Sequence, residues 1–209
     1  MAYTITVFGD SITFGACDGV NGGWCGRLKR YFEPKGTNHR LYNLGICGDT
    51  SRGVLERLEV EAKARIKFKR ESDRHIAIFA IGINDSYIDL NNNQASVDIN
   101  EFKINIEILI KKAKNHTKEI IFISSIPVDE DLCLNWESRK YNNERAQNYN
   151  NIIEELCNKN NILFFNIFHK FSELNYRDLL EDGLHPNPEG YEKMYELIKD
   201  SLISNKIID

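Results

Sequence analysis

Six apolar residues in a row, Ile76 to Ile81, follow His75 and stop at Gly82. A run this short cannot span a membrane, and it reads as a central strand buried on both faces. Such a strand needs helices above and below it, which calls for α/β layering. The rest of the chain supplies them by alternating β-rich and helix-periodic segments. Thr4 to Phe8, Arg40 to Leu44, Glu119 to Ser125 and Ile162 to Ile167 read as four further strands. Between and after them, apolar residues recur at helical spacing: Trp24, Leu28, Tyr31 and Phe32, then Val54, Leu55, Leu58, Ala62 and Ile66. The series continues with Phe102, Ile106, Leu109, Ile110 and Ala113, then Ala146, Tyr149, Ile153 and Leu156. A last helix runs through Tyr191, Met194, Ile198 and Leu202, with Asn187 as its N-cap and Pro188 at its first position. The length of 209 residues, without repeat or linker, predicts one domain over 1–209.

Charge and cysteines narrow the function classes. A formal net charge of -4 gives no concentrated positive surface, so no nucleic-acid partner is expected. No segment approaches the length of a membrane span, and Met1 leads into a strand without a leader-like stretch, so a soluble cytoplasmic protein without membrane insertion is expected. The five cysteines are odd in number and form no C-x-x-C pair, and the histidines lack an H-x-x-x-H spacing. Reduced thiols, no structural metal and no cofactor are therefore expected.

In an open parallel sheet, ligands sit beyond the carboxyl ends of the strands. Those positions hold Asp10 and Ser11 after the first strand, Gly48 and Asp49 after the second, and Asn84 and Asp85 after the third. Asp182 and His185 follow the fifth. A serine hydroxyl is a weak nucleophile until a base takes its proton, and His185 is the candidate base for Ser11. The histidine needs an acceptor on its other ring nitrogen, and Asp182 stands three residues before it. An acyl-transfer intermediate also needs oxyanion donors, available in the Ser11 N–H, the Gly48 N–H and the Asn84 side-chain amide. With Asp182 at the better spacing, Asp10 reads as a turn residue that shapes the first loop.

Four blocks carry a resemblance: Gly9-Asp10-Ser11-Ile12, Asn43 to Ser51 (Asn-Leu-Gly-Ile-Cys-Gly-Asp-Thr-Ser), Gly82-Ile83-Asn84-Asp85, and Asp182-Gly183-Leu184-His185-Pro186. The chain resembles the GDSL, or SGNH, hydrolases, from its first strand to its last helix. The resemblance implies a three-layer flavodoxin-like fold, with a five-stranded parallel sheet of order 2-1-3-4-5 and helices on both faces. It also implies esterase, lipase or thioesterase chemistry on a small-molecule ester or thioester, without a cofactor. By position, Ser11 would be the nucleophile, His185 the base and Asp182 its orienting acid, with Ser11, Gly48 and Asn84 as the oxyanion hole. Ile12 stands where the family motif has leucine, and Cys47 beside Gly48 is unusual. The chain has no G-x-S-x-G, so it is not an α/β-hydrolase elbow.

Substrate selection is expected in the loops, with Trp24, Tyr87, Pro127 and Trp136 as candidate lining residues beside Ile126 and Leu134. The acidic run Asp129-Glu130-Asp131 reads either as an overhang that disfavours anionic substrates or as solvated surface. A rival reading takes the glycine-rich loop Gly9 to Gly23 as a phosphate cradle in a flavin- or nucleotide-binding module. That reading lacks a Walker lysine or a G-x-G-x-x-G and leaves Asp182 and His185 without a task.

Overall fold

The computed structural model describes residues 2–66, 70–133 and 138–209. In chain order its elements are β1 (Tyr3–Gly9), α1 (Ser11–Phe14), α2 (Gly23–Phe32), β2 (Arg40–Gly45), α3 (Ser51–Arg65), β3 (Arg74–Ala80), α4 (Ile83–Ser86), β4 (Ile88–Asp89) and β5 (Gln94–Ala95). There follow α5 (Ile99–Ala113), β6 (Glu119–Ile123), β7 (Arg139–Lys140), α6 (Asn143–Asn160), β8 (Leu163–Phe165), α7 (Ile167–Ser172) and α8 (Pro188–Ser204). Five of the strands pair in parallel in the order β2-β1-β3-β6-β8. Counting only those five, this is the expected order 2-1-3-4-5.

The pleat divides each strand between two cores, because successive side chains point to opposite faces. Ile5, Val7, Ile76, Ile78, Ile121 and Ile123 face one side, where Trp24, Leu28 and Phe32 of α2 join Tyr191, Met194, Ile198 and Leu202 of α8. Phe8, Ala77, Phe79, Ile120 and Phe122 face the other, against α3, α5 and α6. On that face Phe8, Phe79 and Phe122 stack across three adjacent strands, with ring centroids 5.3 and 4.9 Å apart. The apolar run that opened the sequence is thus the central β3, buried from His75 to Phe79 by the two helical layers.

Capping fixes where the helices begin. Asn187 Oδ1 accepts the Gly190 N–H at 2.9 Å with Pro188 at the first position of α8, as expected from the sequence. Several segments differ from the sequence reading: the strand expected over Glu119 to Ser125 ends at Ile123, and the short helices α1 and α4 follow β1 and β3 where turns were expected. The strand expected over Ile162 to Ile167 ends at Phe165, because Ser124 Oγ, beyond β6, accepts the N–H groups of Ile167 and Phe168 and starts α7 there. A second, antiparallel sheet of two-residue strands, β5-β4-β7, lies outside the expected architecture. Among the described residues, no helix is long and apolar enough to cross a membrane.

Candidate active site

The chain turns sharply at the end of β1. Asp10 is the N-cap of α1, its Oδ1 accepting the Ile12 N–H at 2.9 Å, so Ser11 becomes the first helical residue. Asn43 of β2 donates its amide to the carbonyl oxygens of Thr13 and Phe14, fastening the end of this short helix to the edge strand. Burial pushes the Asp10 carboxyl up to about 7, against the opposing hydrogen bond from Ile12 and the charge of His185.

Ser11 Oγ lies 2.8 Å from His185 Nε2, a contact between residues 174 apart in the chain. His185 Nδ1 lies 2.7 Å from Asp182 Oδ2. The other carboxylate oxygen, Oδ1, accepts the backbone N–H groups of Leu184 and His185 at 3.0 and 2.7 Å. Burial opposes the charge on Asp182, but the side-chain and backbone hydrogen bonds of His185 outweigh it and hold the carboxyl down at about 2. An ionised carboxylate can only accept, so the proton of a neutral imidazole belongs on Nδ1. Nε2 then presents its lone pair to the Ser11 hydroxyl, the arrangement a general base requires.

The turn that carries the acid and the imidazole is closed by one local backbone bond and one to the loop after β6. The Glu181 N–H donates to the His185 carbonyl at 2.8 Å, and the Asp129 N–H donates to that of Gly183 at 2.8 Å. Gly183 has φ +86, and a Cβ there would lie 2.8 Å from the Leu132 Cβ and 3.0 Å from the Cys133 Sγ. Only glycine fits both the conformation and the space.

The candidate oxyanion donors are held by a separate network. In the turn from Ile46 to Asp49 the Asp49 N–H bonds the Ile46 carbonyl at 3.0 Å. Gly48 takes φ +77 there, the value glycine adopts at the third position of a type II turn. Asn84, at the start of α4, donates Nδ2 to the Asp49 carbonyl at 3.1 Å and accepts the Tyr141 hydroxyl on Oδ1 at 3.1 Å. Two partners therefore fix which end of the amide is the donor, and one of its two Nδ2 hydrogens remains for a ligand. Next to it, buried Asp85 accepts the backbone N–H and the hydroxyl of Ser51, while Asn105 donates to the same hydroxyl. Burial raises the Asp85 carboxyl to about 6 despite these bonds. Arg57 spans Asp49 and the Gly9 carbonyl, joining the turn at Gly48 to the end of β1.

The model of the GDSL-like Lipase/Acylhydrolase family matches residues 7–193, nearly the whole chain. The chain belongs to this family. As a GDSL-like hydrolase it is an enzyme of ester-bond hydrolysis. No curated protein matches its sequence. Among solved structures, the lipase/acylhydrolase from Enterococcus faecalis superposes with a TM-score of 0.76 at 23% identity, covering 97% of this chain and 96% of that one. A member of the lipolytic G-D-S-L family from Veillonella parvula gives 0.71 at 19% identity, covering 95% and 97%. An acetylxylan esterase from Geobacillus stearothermophilus gives 0.70 at 20% identity, covering 93% and 91%. At these identities the likeness establishes the shared fold.

The expected lining residues of this GDSL-like hydrolase scatter. Trp24 is a correction: it is wholly buried on α2 in the core against α8, so its ring packs the interior and presents no surface to a substrate. Pro127 and Ile126 are likewise buried at the exit of β6. Tyr87 is half-buried, with its ring 5.6 Å from that of Tyr141 and Arg139 over it. Leu134 and Trp136 lie outside the described residues. The acidic run is fastened to structure: Glu130 accepts from Asn142 and Asn143, and Asp129 braces Gly183. Sequence reasoning missed Tyr141, whose signal is only a contact 57 residues from Asn84, and the Ser51–Asp85 bond between two of the four blocks.

Proposed function

We propose that the protein hydrolyses carboxylic esters or thioesters of small acyl groups through an acyl-serine intermediate, with residues 1–209 acting as one catalytic domain. Ser11 attacks the acyl carbonyl while His185 Nε2 takes its proton, and Asp182 stabilises the imidazolium that forms. The oxyanion is received by the N–H groups of Ser11 and Gly48 and by Asn84 Nδ2. Collapse of the intermediate returns the proton from His185 to the leaving alcohol or thiol, and water repeats the sequence on the acyl-serine. The observation that carries this reading is the chain of contacts from Ser11 Oγ to His185 at 2.8 Å and from His185 to Asp182 at 2.7 Å.

Two features support a small acyl group. Ser11, Asn84 and His185 are each less than a tenth exposed, which leaves a narrow approach to the nucleophile. The fold likeness to an acetylxylan esterase points to acetyl esters, including those of carbohydrates, as the first class to assay. A fluorophosphonate probe should label Ser11 and no other serine, and Ser11→Ala should lose turnover of p-nitrophenyl acetate. Equal turnover by the two proteins would remove Ser11 from the mechanism. Across p-nitrophenyl esters, kcat/KM should fall from acetate to octanoate, and a rise with chain length would overturn the small-acyl assignment.

A further inference from the structure

Cys17 stands outside the machinery described so far. It lies in the loop between α1 and α2, exposed, with φ +68, a backbone conformation uncommon for a residue other than glycine. One ligating atom each from Cys17, Asp182 and His185 lie within 4.8 Å of one another. The sequence does not display this grouping, because Cys17 approaches the other two from the opposite end of the chain.

We propose that Cys17, Asp182 and His185 form a binding site for a thiophilic divalent cation, Zn²⁺ above all, and that its occupation switches the hydrolase off. A thiolate, an imidazole and a carboxylate are the donor types that zinc takes in tetrahedral sites. With zinc–ligand bonds of about 2.0–2.3 Å, the edges of such a tetrahedron measure about 3.5 Å. No separation among the three atoms exceeds 4.8 Å, so a pair has to close by roughly 1.3 Å at most, and if Nδ1 is the ligand it has to part from Asp182 Oδ2, now at 2.7 Å, by about 0.8 Å; both changes are within reach of side-chain rotation. The exposure of Cys17 gives the ion access from solvent and leaves the fourth position to water.

The chemical step is a ligand exchange without redox change. The Cys17 thiol loses its proton to solvent as its sulfur coordinates, and Asp182 brings a second negative charge. A neutral imidazole has one lone pair, and the metal consumes it. Bound at Nδ1, the ion moves the ring proton to Nε2, which then faces Ser11 as a donor; bound at Nε2, it occupies the basic atom itself. Either way no lone pair remains to take the serine proton. This silencing rests on the proposed catalytic role of His185, whereas binding of the ion does not.

Binding is therefore tested without substrate, by calorimetric titration of the full chain with Zn²⁺ and by the thiolate-to-metal charge-transfer band that Co²⁺ produces at a cysteine. One ion per chain is expected, with affinity weakened at least about tenfold in Cys17→Ala and unchanged in Cys47→Ala, the other exposed cysteine. Zn²⁺ should also slow fluorophosphonate labelling of the wild type, reversibly with a chelator, and Cys17→Ala should escape that effect at normal basal turnover. Zinc affinity equal in wild type and Cys17→Ala, or a Co²⁺ band that depends on Cys47, would overturn the site. One-to-one binding through Cys17 with unaltered labelling would overturn the switch alone.

Discussion

Replacing Tyr141 with phenylalanine removes one oxygen from the interior and tests how the Asn84 amide is aimed. The phenol is buried and its pKa is raised by that burial, so it stays protonated and donates to Asn84 Oδ1 at 3.1 Å. On the other side Asn84 Nδ2 keeps its bond to the Asp49 carbonyl, so the amide is loosened and not released. Losing one neutral hydrogen bond is worth about 1 kcal/mol, which converts to about a fivefold fall in kcat at about 1.36 kcal/mol per factor of ten. KM should change little, because in the proposed mechanism the amide acts on the oxyanion and not on the ground-state ester. Removing the donor in Asn84→Ala should cost about 10²–10³ in kcat. Stopped assays with p-nitrophenyl acetate on both single variants and the double variant close the cycle. If Tyr141 acts only by orienting Asn84, the double variant falls no further than Asn84→Ala. A further fivefold loss in the double variant would refute the reasoning and place Tyr141 in some other task.

Three other substitutions read the same site. Asp182→Asn should lower kcat by about 10⁴ by losing the tautomer that frees Nε2. Because the folded carboxyl is depressed from 3.8 to about 2, its stabilising contribution is present above 3.8 and fades as pH falls through about 2; the variant should lack that part of the acid transition in melts against pH. Asp10 has the opposite sign, since its carboxyl is raised from 3.8 to about 7: its cost is absent below 3.8, grows as pH rises from there, and is complete and constant above about 7. Asp10→Asn keeps an oxygen for the Ile12 N–H, so its Tm should gain on the wild type between about pH 4 and about pH 7 and hold that gain above, and a difference constant through that interval would contradict the buried carboxyl. Gly183→Ala should lose about 1–3 kcal/mol in urea unfolding through strain at φ +86 and the clash with Leu132, with kcat falling as the Asp182 turn shifts.

The parts of the fold legible in the sequence are those with a periodic or capping signature. The β3 run, the five amphipathic helices and the Asn187-Pro188 start of α8 each leave such a mark, and each is present. The sheet of β4, β5 and β7 leaves none, since a two-residue strand has no period. The end of β8 was hidden for another reason: Ser124, some forty residues earlier, supplies the cap of α7. In the site, residue types at strand ends singled out Ser11, Asp182 and His185, which the structure brings into contact, and Asn84, because the proposed chemistry restricts which side chains can stand there. The residues that brace their surroundings were illegible, because Tyr141 on Asn84, Arg57 on Asp49 and the Gly9 carbonyl, and Asn105 on Ser51 act through contacts that no local pattern encodes. Trp24 shows the converse error, an aromatic beside the first loop that the helix turns inward.

The 174-residue gap between Ser11 and His185 has a bearing on synthesis. A ribosome adding about 5–20 residues per second needs about 9–35 s to travel from the serine codon to the histidine codon. Through that interval β1 and its turn are outside or leaving the ribosome while the proposed base does not yet exist. Asp182 and His185 then arrive together, three residues apart and in contact in the folded chain, and a long-range docking event unites them with Ser11. By the proposed mechanism, a nascent chain therefore stays silent toward esters in the cell that makes it until His185 has been joined and has docked against Ser11.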